Sequence, residues 1–401
     1  MKILHTADWH LGKMLEGYSR INEQREFINE FIEIVKRKNP DLIIIAGDIF
    51  DTYNPPSEAE YLFNYAIKNI SEEGKRAVII IAGNHDSPER LESIKPLANE
   101  FGVLIFGTPK SKTEYTYYKG FSVINSEESY IEILKDNEKA AIIALPYPSE
   151  KRLNEIFEKK INDKDFQKTY SERIGELFNN LSKKYFKKDT INILVSHFFV
   201  NGGSSTESER NIELGGIYTI NPEHLPKNAD YIALGHLHNQ QKVSKHKNAF
   251  FSGSPIQYSK SESNHIKGVL FVEIQKNKKV NIEKIMLKNY KPIEIWKTNS
   301  IDEAINLCKK NSEKNVWAYL EIKTKNPLTG EEIKELKKYK KDLLEIKPIF
   351  TDILKEKTEQ EFEKTYTDLE LFKMYYKSIN NIEPKNELVQ TFLELINKVG
   401  E

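Results

Sequence analysis

Asp41-Leu42-Ile43-Ile44-Ile45-Ala46-Gly47-Asp48 is an apolar run closed by a glycine and a carboxylate. The run, Leu42 to Ala46, has no alternation of polar and apolar residues, so the strand it forms is covered on both faces. Gly47 lets the backbone turn off the strand end and present Asp48 there. The same layout recurs along the chain. Lys2–Thr6 precedes Asp8-Trp9-His10, and Ala77–Ala82 precedes Gly83-Asn84-His85-Asp86. Ile191–Ser196 precedes His197, and Tyr231–Leu234 precedes Gly235-His236-Leu237-His238. Further strands are predicted at Val103–Phe106, Ala140–Leu145, Phe250–Ser252 and Val269–Ile274. Between them, Ile21, Ile28, Phe31, Ile32 and Val35 share one face of a helix over Ser19–Lys38. Leu62, Phe63, Ala66, Ile67 and Ile70 mark a second helix, and Leu91, Ile94, Leu97 and Ala98 a third. Strand–helix alternation of this kind predicts an α/β layered domain. Open α/β sheets build their sites at the C-terminal ends of strands.

The chain has 401 residues, 60 basic and 60 acidic, and a formal net charge of zero. Its length suggests two or three domains. A zero balance excludes a protein that holds nucleic acid through a large global positive charge, so any such grip must be local. The one cysteine, Cys308, leaves no internal disulfide and points to a reducing compartment. The N-terminus has no apolar h-region and no apolar stretch is long enough to span a bilayer, which predicts a soluble, cytoplasmic protein with no membrane partner.

Three regions follow from the pattern. Residues 1–289 form the α/β domain, with a charged helical insertion at 149–189. Within it Lys151–Asp189 has 11 basic and 7 acidic residues, and a stripe of Tyr170, Ile174, Leu177, Phe178, Leu181 and Tyr185 that reads as a surface helix on the domain edge. Residues 290–352 read β-α-β-α-β, with Ser300 and Glu303 as a capping box. Residues 353–401 are helical. Leu369, Phe372, Tyr376 and Ile379 form one stripe, and Leu388, Phe392, Leu395, Ile396 and Val399 form another after Pro384. These stripes need cover, from the rest of the chain or from a partner.

The residues at the strand ends supply two carboxylates, one amide and four imidazoles, in segments that hold five of the nine histidines. Mixed oxygen and nitrogen donors suit manganese, iron or zinc rather than calcium. One aspartate can bridge two ions, and paired ions suit in-line displacement at phosphorus. Each segment alone is a weak signal; the set at strand ends is a strong one. His5 shares strand parity with Ile3 and is assigned to the core. His224, His246 and His265 are assigned to the surface, and Trp9 to packing. Arg90 either reaches the site or caps a helix.

In order and wording, the five segments resemble the calcineurin-like metallophosphoesterase superfamily. His5–Gly12 and Gly47–Thr52 through Pro55-Pro56 are closer still to the SbcD family, the nuclease subunits of bacterial SbcCD complexes and the bacterial branch of the double-strand-break repair nucleases. The resemblance covers the whole chain, including His197–Gly203, Ser208-Glu209-Arg210 and Gly253-Ser254-Pro255. It implies a four-layer α-β-β-α metallophosphoesterase sandwich over 1–289, a capping domain at 290–352 and a partner-binding C-terminal helix pair at 353–401. It assigns Asp8, His10, Asp48 and His238 to one metal, and Asp48, Asn84, His197 and His236 to the other, with Asp48 bridging. His85 becomes the catalytic histidine that binds no metal. Asp86 becomes a supporting residue; Asp51, where archaeal and eukaryotic relatives have histidine, either contacts substrate or supports the site. The cofactor implied is a pair of divalent ions, most often Mn2+. The activity implied is exonuclease action on duplex DNA and endonuclease action on single strands and hairpins, in repair, recombination and replication. The partners implied are DNA, a coiled-coil ATPase of the SbcC type and a second copy of the chain, within a heterotetramer. Helices around Glu58–Glu73 and Pro88–Glu100 would make the dimer contact. No P-loop occurs here, so ATP dependence must come from the partner. The same ligands would also serve a phosphatase or nucleotide phosphodiesterase, and a mainly structural DNA-tethering subunit is the remaining alternative.

Overall fold

The computed structural model describes residues 1–149, 170–209, 219–276 and 278–350, together with isolated positions such as Arg152 and Phe372. In chain order it begins with β1 (Lys2–Thr6), α1 (Ile21–Lys38), β2 (Leu42–Ala46), α2 (Ser57–Ser71) and β3 (Ala77–Ile81). Two short helices, α3 (Pro88–Ser93) and α4 (Lys95–Glu100), lead to β4 (Val103–Phe106). Then come β5 (Ser122–Glu127), β6 (Tyr130–Lys135), β7 (Glu138–Leu145), α5 (Tyr170–Tyr185) and β8 (Ile191–His197). The series continues with β9 (Tyr231–Gly235), β10 (Ala249–Phe251), β11 (Gly268–Glu273) and β12 (Asn281–Met286).

These strands make two sheets. The first runs β12-β11-β1-β2-β3-β4, parallel from β1 to β4 and antiparallel at β11 and β12. The second has β10-β9-β8-β7-β6-β5 at its centre, parallel from β7 to β10, with a two-residue strand at each edge. Strand parity explains the layers. Leu42, Ile44 and Ala46 of β2 face Ile142 and Ala144 of β7 and Ile193 and Val195 of β8 in one inter-sheet core. Ile43 and Ile45 point the other way, onto Phe27, Phe31 and Val35 of α1 and Leu62 and Phe63 of α2. On the far side, Ile143, Leu194 and Ile232 pack on Tyr170, Ile174 and Phe178 of α5. The order is helix, sheet, sheet, helix. Helix α5 is therefore the outer layer of the second sheet rather than an edge decoration. Residues 150–169, apart from Arg152, lie outside the described residues.

One expected helix is two. The stripe Leu91–Ala98 breaks at Ile94, because Pro96 has no N–H to donate back and its ring blocks a continuous turn. Leu97 consequently stays exposed. After Pro292 come β13 (Ile293–Thr298), α6 (Ile301–Lys310), β14 (Trp317–Thr324), α7 (Gly330–Tyr339) and β15 (Leu343–Phe350), with sheet order β13-β14-β15. Glu303 N donates to the Ser300 hydroxyl at 3.2 Å, capping α6. By packing, the chain divides into one unit of Met1–Trp296, Asn311–Leu320 and Lys340–Glu345 and another of Lys297–Lys310, Glu321–Tyr339 and the chain from Ile346. Most of the expected C-terminal helix pair lies outside the described residues; within it, Phe372 stacks on Phe392 at 4.0 Å. Among the described residues, no helix is long and apolar enough to cross a membrane.

Candidate metal centre

The parallel centres of both sheets end at one place. β1 and β2 leave their sheet side by side, and their exit loops stay zipped. Asp8 N donates to Gly47 O, His10 N to Asp48 O and Leu11 N to Ile49 O, at 2.9–3.0 Å. Asp8, His10, Asp48 and His236 all have positive φ, between 43° and 100°. Left-handed backbone at a residue with a Cβ is costly and persists where surrounding contacts enforce it, which is common at functional sites. Around Asp48 the next turn is held by Asp86. Its buried carboxylate accepts from Ile49 N (3.1 Å), Phe50 N (2.9 Å) and Gly83 N (2.8 Å), tying the β2 exit to the β3 exit.

The second sheet contributes His197, the last residue of β8, and His236 and His238 just beyond β9. Space there is minimal. A Cβ on Gly235 would lie 1.9 Å from Ala46 O and 2.8 Å from His197 Nδ1. Gly235→Ala is therefore expected to lower the unfolding free energy by roughly 1–3 kcal/mol. A urea midpoint equal to that of the parent protein would contradict this close contact.

All seven expected ligand residues, with His85, come together and are buried. Asp8, His10 and His238 offer donor atoms within 4.8 Å of one another, as do Asp8, Asp48 and His197. His10 Nε2 faces His238 Nε2 at 3.0 Å. Asn84 Oδ1 lies 2.9 Å from His197 Nε2 and 3.1 Å from His236 Nδ1. Asp48 Oδ2 lies 3.3 Å from His197 Nε2 and 3.6 Å from His10 Nε2, between the two groups. Asp48 Oδ1 accepts from His85 N and Asp8 Oδ1 from His236 N, both at 2.8 Å.

The electrostatics ask for a cation. Burial pushes the Asp8 carboxyl up to about 7. Burial also pulls His10 and His236 down to about 3, so they sit as neutral donors. Burial opposes the charge on Asp48, but the His197, His85 and His10 imidazoles outweigh it and hold the carboxyl well below the usual range. His197 shows the complementary shift: burial lowers it, yet Asp48 and Asp8 lift it to about 9. Asp8 Oδ2 is buried with no hydrogen-bond partner. An orphaned carboxylate oxygen beside two facing imidazole nitrogens is costly unless a positive ion accepts both. The donor set and this orphaned oxygen fit divalent ions of the manganese, iron or zinc kind.

Three of the imidazoles have a group behind them. His197 Nδ1 donates to Ala46 O at 2.9 Å, which leaves Nε2 for the cluster. His85 Nδ1 donates to Asp51 O at 2.7 Å. Asp51 Oδ1 lies 3.2 Å from His10 Nδ1 and 2.7 Å from Lys13 Nζ. Outer partners of this kind fix ring orientation and donor basicity. Asp51 thus stands behind two histidines at once. Gln24 of α1 clamps the β1 exit, donating from Nε2 to His10 O (2.8 Å) while its Oε1 accepts from Gly12 N (2.9 Å). Tyr258 closes the same loop by donating to Trp9 O. Gln24 and Tyr258 are absent from the set expected from sequence, since neither follows a strand. The only signal was a polar glutamine in a position that packs inward.

The other assignments sort cleanly. His5 is buried with Nδ1 2.9 Å from Tyr231 Oη, and Trp9 packs edge-on against Phe27 and Phe31. His224, His246 and His265 are half-buried rather than on the surface. Arg90 takes neither expected role: it pairs with Glu60 at 2.7 Å and Asn54 at 3.2 Å.

Residues 1–240 match the family model of the calcineurin-like phosphoesterases. The SbcD subunit of the SbcCD nuclease from Bacillus subtilis (strain 168) is 38% identical over 403 aligned residues, covering 100% of this chain and 99% of that protein. Its counterpart from Staphylococcus epidermidis (strain ATCC 12228 / FDA PCI 1200), likewise an SbcCD nuclease subunit, is 31% identical, covering 78% of this chain and 77% of its own length. A solved dimetal phosphatase from Danio rerio is 10% identical and superimposes with a TM-score of 0.40 over 72% of this chain and 97% of that one, a likeness too low to decide anything. With the strand-end ring in place and the match running from end to end, the chain belongs to the calcineurin-like phosphoesterases and, within them, to the SbcD family of SbcCD nuclease subunits.

Proposed function

We propose that this protein is a metal-dependent DNA nuclease that hydrolyses phosphodiesters, acting as an exonuclease on duplex ends and an endonuclease on single strands and hairpins. The observation that carries the reading is the buried ring in which Asp48 stands between the Asp8–His10–His238 group and the Asn84–His197–His236 group. Two divalent ions held there, Mn2+ as the first choice, would supply Lewis-acid charge at the scissile phosphate and lower the pKa of the attacking water. The chain's own contributions are positional and protonic. His10 and His236 are held neutral by burial, whereas His197 would have to give up a proton to serve as a donor. Asn84 gives a neutral oxygen, which leaves the positive charge of its side of the ring available to phosphate. His85 holds its Nδ1 proton against Asp51 O, so Nε2 is the atom that meets the departing sugar oxygen. To donate there, it must also carry a proton on Nε2.

The further partners we propose are a second copy of the chain and a coiled-coil ATPase of the SbcC type, the latter in keeping with the SbcCD complex for which its relatives are named. A role in DNA repair and recombination goes with them.

Manganese binding should depend on pH in a stated direction. Ions require Asp8 as carboxylate and His197 as a neutral base. Without metal, Asp8 holds its proton up to about 7 and His197 up to about 9. Protons therefore compete below those values, and Mn2+ affinity is expected to climb from pH 6 to pH 9. Equal affinity at both ends, by titration calorimetry, would reject the ligand roles of both residues. The function itself is tested by digesting end-labelled duplex and hairpin DNA with Mn2+, beside a simple aryl phosphate. Progressive shortening of the duplex supports the reading. Turnover of the aryl phosphate with intact DNA would replace it with a phosphatase.

A further inference from the structure

Behind His238 lies a buried ion pair that none of the roles above uses. Glu262, in the turn Lys260–Glu262, is 0% exposed, and Lys267 is 6% exposed. Lys267 Nζ donates to a Glu262 oxygen, to His238 O (3.0 Å) and to Ser254 Oγ (2.8 Å). Glu262 Oε1 accepts from Tyr258 N and Ser259 Oγ, both at 3.1 Å, and from the Ser208 hydroxyl. Ser208 Oγ in turn lies 2.5 Å from His238 Nδ1, and Glu209 Oε1 accepts from His238 N at 2.7 Å. Burying two charges is unfavourable unless their remaining polar atoms are satisfied, and here those atoms converge on one histidine.

We infer that Glu262 is a positioning residue for His238, acting through the Ser208 hydroxyl. The donor inventory forces the direction. A carboxylate paired with Lys267 can only accept, and serine has a single O–H. That hydrogen goes to Glu262, so Ser208 meets His238 as an acceptor and His238 carries its proton on Nδ1. Nε2, 3.0 Å from His10 Nε2, is then the lone-pair nitrogen that faces the ring. Lys267 grips the carbonyl of the same residue, so ring and backbone are fixed together. The strut reaches the ring on the Asp8–His10–His238 side, whereas on the other side His197 is held by Ala46 O. The inference rests on reading the ring as a two-ion centre.

The test is Mn2+ titration of the full chain by electron paramagnetic resonance, in the parent protein, Ser208→Ala and Ser208→Thr. Ser208→Ala removes the bridge while leaving the Glu262–Lys267 pair intact. We expect one of two Mn2+ sites to weaken by about 10–100-fold, the other to hold its affinity, and threonine to restore the first. Unchanged sites in Ser208→Ala, equal weakening of both, or a threonine variant no better than alanine would each overturn the role of Glu262 and Ser208. A parent protein that takes up no Mn2+ would instead overturn the two-ion reading beneath it, so the two failures are distinguishable.

Discussion

His85→Asn is expected to suppress Mn2+-dependent cleavage of duplex DNA by a factor of about 10²–10⁴ while leaving the Mn2+ content unchanged. The side chain is buried beside the ring, and its imidazole stands edge-on to His10 at 4.7 Å. Its hydrogen bond to Asp48 is made by the backbone N–H. Asparagine keeps that N–H and can still offer an amide N–H toward Asp51 O, so the β2 and β3 exits stay joined. What it lacks is a second titrating nitrogen for the departing oxygen. Full cleavage by the variant would remove His85 from the reaction. Loss of metal together with activity would make it a ligand instead.

Asp48→Ala is expected to act at the other extreme, losing both ions and all cleavage. Asp48 Oδ2 approaches a histidine of each group, at 3.3 and 3.6 Å. Without it, His197 loses the partner that lifts its pKa most, and His85 N loses its acceptor. Elemental analysis after Mn2+ loading and desalting checks this. One ion retained at full occupancy would mean that Asp48 serves a single side.

Much of this was legible in the sequence because of where the chemistry sits. Continuous apolar runs such as Leu42–Ala46 and Ala77–Ile81 must lie between two covered faces, and a polar residue straight after such a run must lie at a sheet end. Asp8, His10, Asp48, Asn84, His197, His236 and His238 all lie at or within four residues of a strand end, so that position gathers them as candidates, and the resemblance divides them between two ions. The edges were less legible. β12, Asn-Ile-Glu-Lys-Ile-Met, is an edge strand and β5, Ser-Val-Ile-Asn-Ser-Glu, has only a two-residue strand beyond it, and both mix polar and apolar residues. The supporting groups were the hardest to see. Gln24 acts from mid-helix, and Glu262 and Lys267 act from a loop, so their roles depend on tertiary approach and leave no spacing to read. The zero net charge takes on a sharper meaning too. A neutral chain handles phosphodiesters if the required positive charge resides on bound ions rather than on its surface.

Whether the ring is a two-ion centre is settled by a crystal structure of the Mn2+-soaked protein, with anomalous differences measured at the manganese edge. Two peaks are expected, one among Asp8, His10 and His238, the other among Asn84, His197 and His236, both adjoining Asp48. A single peak, or manganese bound outside this ring, would contradict it.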